Sequence, residues 1–253
     1  MKKLIIISAV SISMLITGCA ASNTVKQETP TPQASSIIET QTPEASAANS
    51  GEKTSPQPYT ITTAVYSQDN IKVQYPQLEG MADSSKQKAI NALIKNDVLN
   101  SQVEEPIKSY QDDSGTPVKL TLNLVYKVTM YTSELFSVYY TGDSYIEGGV
   151  HPDRSFYATT IDLKNTAKLS LSDFTTIDNA LVQKIKKSTD ITEAVDGVDS
   201  SVLIPFFQDE SDQVMLQELQ DQYAYFFITP DSLAICVYVP HVIGDFAVIK
   251  LPR

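Results

Sequence analysis

Histidine and cysteine are both scarce. The 253-residue chain has two of each, His151 and His241, Cys19 and Cys236, spaced too far apart to form a short metal or redox motif. There is no His-Glu-x-x-His, Walker loop, nucleophile elbow or dinucleotide fingerprint, so the familiar marks of zinc proteases, nucleotide hydrolases, esterases and dehydrogenases are all missing. Acidic pairs do occur, at Glu104-Glu105, Asp112-Asp113 and Asp209-Glu210. A glycosidase needs two carboxyls facing one sugar bond at a set separation, one of them with a raised pKa, and adjacency along a chain does not supply that. They read as solvated charge. No catalytic activity and no cofactor are expected.

Positive charge is also in short supply. Lys and Arg number 19 against 30 Asp and Glu, for a net charge of -11 that becomes -13 once Lys2 and Lys3 are removed. Such a surface repels phosphate backbones and anionic polymers, which argues against nucleic acid and favours cationic partners.

One long apolar run is present, Leu4 to Ile16, behind Met1-Lys2-Lys3 and ahead of Thr17-Gly18-Cys19. It is too short to span a bilayer comfortably and has the layout of an export signal. Leu15-Ile16-Thr17-Gly18-Cys19 resembles a lipobox, in which the signal is cut before a cysteine that has received a diacylglyceryl group. The expectation is a lipoprotein signal peptide over residues 1–18 and lipidation at Cys19. At about 0.8 kcal/mol per buried methylene, two acyl chains anchor a domain firmly to the outer face of the cytoplasmic membrane. With Cys19 committed to lipid, no intramolecular disulfide is expected.

Residues 19–58 continue in Ser, Thr, Pro, Gln, Ala and Glu, with only Val25, Ile37 and Ile38 as sizeable apolar side chains. Too little can be buried there to offset the entropy of folding. A stalk of this length has a root-mean-square reach of roughly 35 Å and a limit near 130 Å, enough to carry a domain into the cell wall.

The remaining residues have the patterns of an α+β protein: antiparallel sheets with two or three packed helices, divided into abutting subdomains at 59–143 (β-β-α-β) and 144–253. Thr60–Tyr66 and Ile71–Tyr75 read as a hairpin ended by Pro76. Ser84-Ser-Lys-Gln87 reads as a capping box before a helix whose inner face carries Ala89, Ile90, Leu93, Ile94 and Val98. From Val118 to Tyr131 apolar and polar residues alternate, the pattern of a strand with one buried face. Glu134–Ile146 pairs with it, and Phe156–Leu163 and Lys168–Leu171 follow around the turn Lys164-Asn165-Thr166. Ser172-Asp173 opens a helical segment through Ile177, Leu181, Val182 and Ile185. Thr189–Ser201 reads as a loop and Gln213–Gln222 as a short helix. Tyr223–Ile228 and Leu233–Val239 form a hairpin across Thr229-Pro230-Asp231-Ser232, and Val242–Leu251 closes the sheet with a bend at Gly244-Asp245. Cys236, among apolar neighbours, is expected to be a buried, inert thiol.

The most constrained connection is Tyr145-Ile146-Glu147-Gly148-Gly149-Val150-His151-Pro152-Asp153. Paired glycines allow positive φ or close backbone approach, and Pro152 drives His151 toward extended geometry. Such constraints beside a rare histidine point to a shaped surface. The candidate ligand-binding residues are Tyr145, Glu147, Gly148, Gly149, His151 and Tyr157, with Tyr139 and Tyr140 also flanking the loop as an aromatic rim. A second reading uses His151 with Asp143, Glu147 and Asp153 as ligands in a metal-dependent cell-wall enzyme. His241 has no more than a surface role.

The order Glu-Gly-Gly-Val-His-Pro, aromatic strand, Ile-Asp-Leu, Lys-Asn-Thr, Leu-Ser-Leu-Ser-Asp-Phe resembles the extracellular domain of the anti-sigma-V factor family, cell-surface receptors for lysozyme. It is similar also to the non-catalytic N-terminal part of peptidoglycan deacetylase C, with Ile71-Lys-Val-Gln-Tyr-Pro-Gln-Leu78 as the upstream counterpart. The resemblance implies a binding module for a lysozyme-like protein or peptidoglycan. Only Met1–Lys3 precede the apolar run, so no sigma-gripping segment is expected, and no deacetylase domain is expected after Arg253.

Overall fold

A computed structural model describes residues 59–110, 115–116, 118–193, 200–220 and 224–253. The expected signal peptide, Cys19, the stalk and the Asp112-Asp113 pair lie outside the described residues.

The chain folds as α+β. Strands β1 (Thr60–Gln68), β2 (Ile71–Glu79), β3 (Leu120–Tyr131), β4 (Leu135–Ile146), β5 (Asp153–Asp162) and β6 (Ala167–Lys168) make one six-stranded sheet in that order. Strands β7 (Ile191–Glu193), β8 (Tyr225–Ile228), β9 (Ser232–Tyr238) and β10 (Phe246–Pro252) make a four-stranded sheet in the order β7-β10-β9-β8. The helices are α1 (Ser84–Leu99), α2 (Glu105–Ser109), α3 (Asn179–Lys187), α4 (Ser200–Asp209) and α5 (Asp212–Gln220), with a π-helical turn at Asn100–Glu104 joining the first two.

Buried faces stack these elements in four layers. Ile90, Ile94 and Val98 of α1 pack on Val73, Leu122, Leu124, Val138 and Tyr140 of the first sheet. The opposite face of that sheet, through Phe156 and Ala158, meets Phe227, Ala234, Cys236, Phe246 and Val248 of the second. The far face of the second sheet, with Ile228, Ile235, Val237 and Ile249, is covered by Leu181, Val182 and Ile185 of α3, Leu203 and Phe207 of α4, and Met215 and Leu219 of α5. β5, β8, β9 and β10 are therefore buried on both faces over most of their length. For that reason β8, β9 and β10 are nearly unbroken apolar runs, and β5 buries Thr159 and Thr160 among its apolar residues, whereas β3 alternates because one of its faces meets solvent.

Several expectations are corrected. The first sheet runs from Thr60 to Lys168, so a subdomain boundary between residues 143 and 144 would cut through β4. The β2–β3 pair is parallel, at Ile71–Val73 against Leu122–Leu124, in otherwise antiparallel sheets. The α1 crossover provides the length that a parallel pairing requires. Pro76 does not end β2 but pairs opposite Thr63. Beyond Val73, β3 no longer borders β2, and the Asn91 side chain of α1 takes over: its amide donates to Leu78 O at 2.9 Å and accepts from Leu78 N–H at 2.8 Å. The N-cap of α1 is Asp83, whose carboxylate accepts from Ser85 N–H and Lys86 N–H at 2.9 Å each, while Gln87 Oε1 accepts from Met81 N–H. Ala89 is exposed. β7 and α4 occupy stretches read as loop or left unassigned. Pro205 lies inside α4, although proline ordinarily interrupts a helix. With the short α2, the described residues hold five α-helices rather than two or three.

Candidate functional site

The site forms where two strand connections meet, Glu147–Pro152 between β4 and β5 and Val239–Asp245 between β9 and β10. In the first, Gly149 N–H donates to Ile146 O at 2.8 Å, closing a tight turn with Gly148 at its third position and φ +90°. That φ is open to glycine and strained for other residues. Tyr145 braces the turn by donating its hydroxyl to Gly149 O at 3.2 Å. Glu147 N–H donates to Lys119 O at 2.9 Å, and its carboxylate lies 3.5 Å from Lys119 Nζ, an exposed pair that contributes at most about 1 kcal/mol. The second connection is a 3-10 turn at His241–Ile243 followed by two left-handed residues, Gly244 with φ +118° and Asp245 with φ +68°. Val239 N–H donates to Asp245 O at 2.9 Å, tying its two ends together.

These loops bring the chain's two histidines together. The imidazoles of His151 and His241 stack with centroids 3.7 Å apart and planes 14° from parallel. Asp245, its side chain only 12% exposed, holds both loops at once: Oδ1 lies 2.8 Å from His241 Nδ1, and Oδ2 accepts from Arg154 N–H of β5 at 2.9 Å. A carboxylate can only accept, so the Nδ1 proton of His241 faces Asp245 and Nε2 is left with the free lone pair when the ring is neutral. His151 Nδ1 lies 3.2 Å from Pro152 O and 3.2 Å from Asp153 Oδ1. His151, Asp153 and His241 each offer one potential ligand atom, all within 4.8 Å of one another. Two valines stand beside the histidines and reach solvent, Val150 at 98% exposure and Val242 at 88%.

The expected site residues separate. Tyr145, Gly148, Gly149 and His151 lie in or brace the loop, and the Glu147 side chain pairs with Lys119. Tyr157 does not belong to a surface rim: it is 2% exposed, and its hydroxyl meets Lys168 Nζ at 2.8 Å and the Ser101 hydroxyl at 3.0 Å. Tyr140 is fully buried, and Tyr139 stacks on Phe156 between the sheets. Of the anticipated metal set, Asp143 sits opposite Arg154 in the β4–β5 register. The partners that do approach His151 are His241 and Asp153, braced by Asp245. His241 and Asp245 were legible only as a surface residue and a bend, and the signal for joining them was the rarity of histidine itself. Cys236 is buried as expected, and burial pushes its thiol pKa well up.

Residues 62–153 match the family model described as "Deacetylase PdaC", a span that reaches from β1 to the first residue of β5 and includes His151 but not His241. No curated protein sequence matches the chain. Among solved structures, a member of the DUF3298 family from Bacteroides fragilis NCTC 9343 is similar with 13% identity and a TM-score of 0.47, over 77% of this chain and 90% of that one. A DUF3298 family protein from Pseudomonas aeruginosa PAO1 is similar with 12% identity and a TM-score of 0.38, over 78% of this chain and 91% of that one.

Proposed function

We propose that this protein is a non-catalytic binding module of the cell envelope, lipid-anchored at Cys19 to the outer face of the cytoplasmic membrane, that captures a basic, lysozyme-like protein on its paired-loop surface. The observation that carries this reading is the exposure of Val150 and Val242 beside the stacked histidines, on loops already fixed by their own hydrogen bonds. Apolar tips on a braced platform suit protein recognition, because little ordering entropy remains to be lost on contact. A net charge of -11 favours encounter with a cationic partner. The family description of residues 62–153 names a deacetylase, in keeping with the resemblance to the non-catalytic part of peptidoglycan deacetylase C, and this supports an envelope setting.

The test is retention of lysozyme and of purified peptidoglycan by the full chain at low and high salt. Lysozyme capture that weakens as salt rises, and that is lost in a Val150→Asp, Val242→Asp double variant, is the expected result. Retention of peptidoglycan alone would move the ligand to the wall polymer, and retention of neither overturns the proposal. Incorporation of labelled palmitate that disappears in Cys19→Ala is the companion measurement for the anchor.

A further inference from the structure

We propose that His151, Asp153 and His241 bind one divalent transition-metal ion of the zinc class, with Asp245 as the carboxylate that orients His241. This site is independent of the partner captured by the loops and stands on three observations. The chain's two histidines are ninety positions apart, yet their rings meet across loops from different sheets. Their potential ligand atoms and that of Asp153 lie within 4.8 Å of one another, and a donor set of two imidazoles and one carboxylate suits zinc and its neighbours in the first transition row. His241 Nδ1 is also held by a mostly buried carboxylate, itself fixed by the backbone N–H of Arg154, which is the arrangement that aims the other ring nitrogen at a metal.

Side-chain rotation completes the geometry. Ligand distances of about 2.0–2.2 Å in a tetrahedral site place donor atoms roughly 3.3–3.6 Å apart, so the three groups close in by about 1 Å. Near-parallel rings cannot both point an in-plane lone pair at one ion, and the stack must therefore splay open. The side chains of His151 and Asp153, 43% and 57% exposed, have room to move, while His241 stays held by Asp245. Three protein ligands leave a fourth position for water or for a donor group of a bound molecule. Glu147, paired with Lys119, is outside the set.

The experiment titrates the untagged full chain with Zn²⁺, reading affinity by competition with a chromophoric chelator and following the imidazole proton resonances, which come from two residues only. Expected are one ion per chain, movement of both histidines' signals together, and a rise in melting temperature with added Zn²⁺. Asp245→Asn should weaken binding about 10–100-fold, and His151→Ala and His241→Ala should weaken it further. Co²⁺ should give a ligand-field spectrum without the charge-transfer band of a thiolate, separating this site from Cys19. Because His151 is exposed, His151→Ala should keep the melting temperature of the metal-free protein and lose only the rise on adding Zn²⁺. Absence of binding, movement of one histidine alone, or full binding in a His151→Ala, His241→Ala double variant overturns the proposal.

Discussion

The carboxylate of Asp97 on α1 and the ammonium of Lys168 on β6 lie 2.8 Å apart, joining the helix to the far edge of the first sheet. Asp97 also accepts from the Thr159 hydroxyl, and Lys168 Nζ reaches the Tyr157 hydroxyl at 2.8 Å, so a helix and two strands share one polar network. Burial, and then the Asp97 charge, push the Tyr157 phenol well above its usual range. Asp97 is itself mostly buried, so Asp97→Ala strands the Thr159 hydroxyl and deprives Lys168 of its counter-ion. The expected loss is about 1–3 kcal/mol, measured by denaturant unfolding. A change below a few tenths would mean that the network is replaced by water without cost.

Tyr140 presents the opposite case. Its ring is fully buried and its hydroxyl has no hydrogen-bond partner among the described residues. Tyr140→Phe removes a desolvated polar atom while keeping the ring, so stability should be unchanged or raised by up to about 1 kcal/mol. A clear destabilisation in thermal melts would show that the hydroxyl is satisfied in solution.

Glycines at two places in β4 and the following loop should respond differently to alanine. At Gly142 a Cβ would sit 1.8 Å from the backbone oxygen of Asn123 on the neighbouring strand, and neither strand can yield alone. Gly142→Ala is expected to cost about 4 kcal/mol or more, enough to deplete the soluble protein. At Gly148 a Cβ meets open space, and the cost arises only from φ +90°, about 1–2 kcal/mol. Comparable melting temperatures for the two variants would contradict this.

Acid should weaken the fold through exposed aspartates that accept backbone hydrogen bonds. Asp173 is held below the usual carboxylate range, first by the backbone N–H of Ser170 and then by its hydroxyl; Asp162 is lowered chiefly by the backbone N–H of Asn165. A depressed folded-state pKa stabilises above the ordinary aspartate value near 3.9, and that stabilisation is lost as pH falls through the folded value. Unfolding midpoints should therefore drop as pH moves below about 4. Asp173→Asn should be less stable at neutral pH and show a smaller drop.

Much of the secondary structure was legible because local physics dictates it. The alternation from Leu120 to Val128 could only be a strand with one dry face, and the turn at Asp69-Asn70 joins two strands that pair in full register. Start signals are less legible: the capping box read at Ser84–Gln87 puts the cap of α1 one residue late, because an aspartate and two serines compete there and only the geometry selects Asp83. The doubly buried strands gave their presence away by composition, but not which residues face which layer. That is why Tyr157, on the α1 side of β5, was placed on a surface it does not reach.

By itself the sequence determined where strands and helices form, the constrained glycine loop, the excess of negative charge and the scarcity of histidine, because each depends on residues close together in the chain. Only the tertiary structure decided that the two sheets stack, that β2 and β3 run parallel, and that His241 and Asp245 come to His151. Those contacts join residues dozens of positions apart. Their geometry is set by how twisted sheets pack through buried side chains, and no local pattern encodes it.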